Sequence, residues 1–85
     1  MSTFEIVQDI LVQQLNVKCD DVTPESLLDD DLMADSLNYV EIALALEEEF
    51  NIVLTEEAVG SWITVQDIVD SVDKEIGTFW GQQHE

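Results

Sequence analysis

Apolar residues recur at Tyr39, Ile42, Ala43, Leu46 and Phe50. At about 100° per residue this spacing places them on one face of an α-helix. The run Asn38 to Phe50 must therefore bury that face against other elements. The opposite face carries Leu37, Val40 and Leu44, edged by Glu41 and Glu48. A surface helix in a small monomer should be polar there. A second apolar line framed by acids is expected to be a docking face.

Three further segments share the helical rhythm. Phe4, Val7, Leu11 and Leu15 fall on one face, with Ile10 beside them and Ile6 and Val12 off the stripe. Ser2 and Thr3 are candidate caps for this helix, which should stop near Asn16. Thr55 to Val59 reads as a short capped helix broken at Gly60. Val65, Ile68, Val69, Val72 and Ile76 form the last stripe, with Thr64 as cap and Asp67 in a capping-box position. Phe79 and Trp80 keep the same phase, so this helix is expected to reach about Trp80 and pack its aromatics, with Gln82 to Glu85 frayed. Trp62 and Ile63 should lie in the core. The pattern implies an all-α fold, a bundle of three longer helices and one short one, in a single domain over residues 1–85. Its core spans about 4–76, and 77–85 is a C-terminal extension.

The connections differ in character. Val17 to Leu28 is long, with a local turn at Thr23-Pro24-Glu25-Ser26. Val17, Val22, Leu27 and Leu28 are expected to pin it to the helices. Asn51 to Leu54 reads as an extended linker with Ile52 and Leu54 on one side. Asp29-Asp30-Asp31 invites a calcium reading. A calcium-binding loop counted from Asp29 would need glycine at its sixth position and glutamate at its twelfth, where this chain has Ala34 and Val40. The triplet is read as a solvated loop.

Ser36 stands where the loop meets the serine helix. A helix start offers unpaired N–H groups and the positive end of the macrodipole, a favourable place for a phosphate. Serine is also a preferred N-cap, and an arbitrary serine here would be read as one. The surrounding run reverses that reading. Leu32-Met33-Ala34-Asp35-Ser36-Leu37, then Val40-Glu41, then Ala45-Leu46-Glu47-Glu48-Glu49-Phe50 resembles the signature of acyl carrier proteins, and the likeness extends from about Phe4 to Ile76. The resemblance implies an acyl-carrier-protein-like four-helix bundle. It implies that Ser36, flanked by Asp35 and Leu37, is esterified by a covalent 4′-phosphopantetheine derived from coenzyme A. Acyl intermediates would then ride as thioesters between fatty-acid or polyketide biosynthetic enzymes. It further implies that Leu37, Val40, Glu41, Leu44, Glu47 and Glu48 meet partners: a phosphopantetheinyl transferase, acyl transferases, ketosynthases and others with basic docking patches. The apolar stripes would part to shelter an acyl chain. Two positions depart from the family. Met33 stands where glycine is common, so the loop is expected to be stiffer or differently shaped. Asn38 stands where aspartate is common, which removes one charge close to the serine.

Charge restricts the alternatives. The 85 residues hold 20 acids against two lysines, a formal charge of −18. Nucleic-acid backbones and anionic membrane surfaces need clustered basic groups, which Lys18 and Lys74 do not supply. A protein partner with a basic patch, met through electrostatic steering, is what such a charge favours. Cys19 is the only cysteine, so neither an internal disulfide nor a cysteine zinc cluster forms, and a reducing, cytoplasmic compartment fits. The only histidine, His84, is in the tail, and no base or glycine elbow accompanies Ser36, so the chain is not expected to be an enzyme. An aminoacyl or peptidyl carrier, or an unmodified acidic interaction module with Ser36 as a cap, are the other readings.

Overall fold

The computed structural model describes residues 2–84, with side chains through residue 77. Four α-helices follow in order: α1 Thr3–Leu15, α2 Ser36–Phe50, α3 Glu56–Gly60 and α4 Val65–His84. A single 3₁₀ turn at Cys19–Asp21 interrupts the first connection. α1 packs against both α2 and α4, and the short α3 leans on α2.

Each helix starts where its sequence supplies a cap. The Ser2 hydroxyl accepts the Glu5 N–H at 3.2 Å, and the Glu5 carboxylate accepts the Ser2 N–H at 3.0 Å, a reciprocal capping box. Thr55 caps α3 through the Ala58 N–H. Thr64 and Asp67 cap α4, with the Asp67 carboxylate accepting N–H bonds from both Ile63 and Thr64. These bonds hold the Asp67 carboxyl below its usual range, the Thr64 N–H first and that of Ile63 second. α1 and α2 end on Asn16 and Asn51 in the left-handed conformation, a role asparagine fills at modest cost.

The core forms where the stripes meet. Val7 and Leu11 of α1, Ile42, Ala43 and Leu46 of α2, and Val65, Ile68, Val69 and Val72 of α4 are buried. Phe4, Ile10, Leu15, Tyr39, Phe50 and Ile76 pack at its margin. The long connection adds Val22, Leu28 and Leu32 to this core. It is also tied by polar bonds. The Gln8 amide donates to the carbonyls of Cys19 and Val22, and the buried Ser26 hydroxyl donates to the Asp21 carbonyl. Leu27 and Thr64 pair antiparallel, with the Leu28 N–H donating to the Ile63 carbonyl at 2.9 Å. The Asp31 carboxylate, read from sequence as solvated, accepts the Leu27 N–H at 2.8 Å and so closes the turn before α2.

One core expectation is corrected. Ile63 is 61% exposed. It lies in extended backbone between Trp62 and Thr64, where successive side chains point to opposite sides. Trp62 takes the inward position, so Ile63 faces out. The backbone of α4 runs past Trp80, while the expected packing of the Phe79 and Trp80 rings lies outside the described side chains.

Candidate functional site

The site is the junction of the loop and α2. Leu32 and Ala34 are both buried, and the Ala34 N–H donates to the Leu28 carbonyl at 2.8 Å. Those two anchors fix the height at which α2 begins. Between them Met33 turns outward with φ 61° and is 78% exposed. The left-handed region costs a non-glycine residue roughly 1–2 kcal/mol. The loop thus keeps a backbone shape that glycine adopts freely, and the departure at Met33 appears as local strain.

Asp35 is the N-cap of α2, with extended φ and ψ. Its carboxylate accepts the Asn38 N–H at 2.9 Å, and the Asn38 side-chain oxygen accepts the Asp35 N–H at 3.0 Å. The structure does not favour the alternative of Ser36 as a cap. Ser36 is the first helical residue, its side chain is exposed, and capping is done by its neighbour. Asn38, read from sequence only as a missing charge, completes the box through an amide oxygen. The outcome is a hydroxyl presented to solvent at the positive end of a 15-residue helix dipole.

The sequence-derived partner face divides in two. Leu37, Val40 and Leu44 are exposed by 64%, 53% and 59%, a continuous apolar line descending from Ser36. Glu41 and Glu48 are exposed beside it. Glu47 is different. It is half-buried, and its carboxylate accepts the Leu54 N–H at 2.7 Å. One of its oxygens therefore holds the linker after α2 in place.

Beside Ser36, α2 and α3 leave an open cleft of about 450 Å³. Ser36 sits on its lining together with Tyr39, Val40, Ala43, Leu54 and Val59. Burial first and the Asp29 charge second push the Tyr39 phenol above its usual range, so it stays protonated at neutral pH. No periodicity signals this cleft, because it depends on how the five-residue α3 stands against α2. Among the described residues no group of three or more His, Cys, Asp or Glu side chains could hold a metal ion. No described helix is long and apolar enough to cross a membrane.

The exposed serine at a capped helix start fits a covalently attached phosphate-linked group. Comparison with known proteins shows the family. Residues 5–72 match the family model described as a phosphopantetheine attachment site. An acyl carrier protein of Helicobacter hepaticus is 44% identical over 73 residues, which cover 86% of this chain and 96% of that one. Among solved structures, a chain described as an acyl carrier protein from Mycobacterium tuberculosis superposes with a TM-score of 0.81 at 27% identity, covering 86% of this chain and 97% of the other. A helical bundle with this signature, matched along most of its length, belongs to the acyl carrier protein family, whose members carry phosphopantetheine as a covalent prosthetic group.

Proposed function

We propose that Ser36 is the attachment point, and that the chain presents cargo to enzymes without catalysing a reaction itself. The observation that carries this is the division of labour at the start of α2: Asp35 and Asn38 satisfy the helix end, which leaves the Ser36 hydroxyl exposed and uncommitted. When attached, the prosthetic group supplies a terminal thiol on which acyl groups are carried as thioesters. In the loading step the Ser36 Oγ forms a new bond to phosphorus, the pyrophosphate bond of coenzyme A breaks, and adenosine 3′,5′-bisphosphate departs. The serine proton passes to the transferase. The helix dipole then favours the phosphodiester at Ser36 despite the acidic surroundings.

Leu37, Val40 and Leu44 are the apolar strip on which a phosphopantetheinyl transferase, acyl transferase or ketosynthase seats, and Glu41 and Glu48 meet its basic rim. Glu47 contributes its second oxygen while the first stays with Leu54. The net charge of −18 steers such partners over long range, and the association weakens with salt. Residues 1–85 act as one carrier domain in fatty-acid or polyketide synthesis, in a reducing cytoplasmic compartment that suits the exposed Cys19 thiol.

Incubation with coenzyme A and a phosphopantetheinyl transferase tests the assignment. Intact mass should rise by one phosphopantetheinyl group, and peptide mapping should put it on Ser36. An adduct on any other residue overturns the assignment.

A further inference from the structure

Tyr39 has a polar end that the fold does not use. It lies three residues after Ser36 on α2, so the two side chains share a face, with Cβ atoms about 5–6 Å apart. Both line the cleft. The Tyr39 ring packs against Trp62, at a centroid distance of 6.4 Å and an inclination of 45°. Trp62 is itself fixed, since its indole N–H donates to the Ser71 hydroxyl of α4 at 2.8 Å. Side chains on a helix lean toward its N-terminus, which carries the phenol over the turn that begins with Ser36. The Asp29 charge acts on that phenol from the preceding loop, so the oxygen stands at the loop end of α2. Among the described residues the Tyr39 hydroxyl has no hydrogen-bond partner, and no buried side-chain oxygen there lacks one, so this hydroxyl opens to solvent. Apart from Ser36, no other residue on the cleft offers a side-chain donor at neutral pH: Glu47 and Glu56 are acids, and the rest are apolar or glycine.

We propose that the Tyr39 hydroxyl donates a hydrogen bond to the phosphodiester at Ser36 and so sets the direction in which the prosthetic arm leaves α2. This inference rests on the reading of Ser36 as the attachment point. A phosphate joined to a serine turns about single bonds, and the helix dipole attracts it without fixing its orientation. Its unesterified oxygens only accept, and a bond to a charged acceptor is about twice as strong as one between neutral groups. A donor on a ring seated against Trp62 supplies the missing direction. Tyr39 is a positioning residue, because no bond of the prosthetic group is made or broken by it. Trp62 acts through Tyr39.

NMR at neutral pH on the chain loaded by a phosphopantetheinyl transferase from coenzyme A, without acyl cargo, tests the inference. Tyr39 is the only tyrosine, so its signals stand alone. The ring carbon that bears the hydroxyl should shift when the group is attached, and the ring protons should show through-space contacts to the pantoyl methyls of the arm. Tyr39→Phe keeps the ring and removes only the donor. In that variant the phosphorus resonance should move toward its position in the urea-unfolded loaded chain, and the pantoyl methyls should gain motion. A purely structural role for the hydroxyl would alter the melting temperatures of the unloaded and loaded forms alike and leave the phosphorus resonance in place. The same phosphorus shift in the native chain and in Tyr39→Phe therefore overturns the inference. So does a ring carbon that does not respond to loading, or a lack of contacts between ring and arm. Those last two readouts need only the native chain, so they decide the matter even where the variant unfolds. Mass spectrometry of the loading step keeps the two readings apart: no adduct at Ser36 removes the attachment assignment and the role of Tyr39 together, whereas a normal adduct with any of those results removes the role of Tyr39 alone.

Discussion

α1 and α2 both begin beside a serine, and the two serines do different work. At α1, Ser2 is the cap: its hydroxyl accepts the Glu5 N–H and Glu5 returns the bond. At α2 the same reciprocal box is built one residue earlier, from Asp35 and Asn38, and Ser36 is left exposed on the first helical turn. Residue type does not separate a structural serine from a functional one. What separates them is whether a neighbour has already satisfied the helix end. The shift of one position frees a hydroxyl without giving up the cap.

Substitutions can break that contrast in graded steps. Asp35→Ala should cost about 1–2 kcal/mol, because it removes the carboxylate cap of the helix that carries Ile42, Ala43 and Leu46 into the core. Ser2→Ala should cost about 1 kcal/mol, since the reciprocal bonds between Ser2 and Glu5 are exposed to solvent. Both are read as shifts of the midpoint in chemical denaturation. Equal costs for Ser2→Ala and Ser36→Ala would erase the distinction.

Met33→Gly sharpens the comparison from the loop side. Relief of the left-handed strain and the added freedom of glycine in the unfolded chain oppose each other, leaving a gain of roughly 0–1 kcal/mol. A loss of more than that would mean that the exposed Met33 side chain holds the loop in a way its position does not suggest.

The pH profile contrasts the caps with the net charge. The Ser2 N–H holds the Glu5 carboxyl below its ordinary value of 4.5, and the Thr64 and Ile63 N–H groups hold Asp67 below 3.8. A carboxyl depressed in the fold stabilises it above the unfolded value, and that stability is lost as pH falls through the folded value. Below those ordinary values the starts of α1 and α4 should therefore weaken. Above them, mild acidification reduces the self-repulsion of the −18 charge and should stabilise the fold, as should millimolar magnesium. Melting temperatures measured from neutral pH downward should rise, pass a maximum and then fall. A monotonic fall from neutrality, or a fall on adding magnesium, would contradict the balance of these two effects.

Much of this was legible in the residues. The stripes of α1, α2 and α4 carried the bundle because burying a face at 3.6-residue spacing leaves few other packings. Ser36 at the start of α2 and the exposed line Leu37, Val40, Leu44 followed from the same periodicity. The 3₁₀ turn at Cys19–Asp21 was not legible, since three residues are too few to show a period. Ile63 was misread because one apolar residue beside a tryptophan carries no information about which of the two points inward. Glu47 and Asn38 were read as charge and missing charge. Their internal bonds, to Leu54 and Asp35, depend on where the backbone turns after and before α2. The cleft arises where α3 stands against α2, and local sequence does not specify that.

Ser36→Ala, followed by two readouts on one sample, tests the contrast most directly. Intact mass after treatment with transferase and coenzyme A should show no adduct, while the unfolding free energy stays within about 0.5 kcal/mol of the native chain. A full adduct on the variant would show that Ser36 is not the anchor, and a stability loss as large as that of Ser2→Ala would show that its hydroxyl is committed to the helix end.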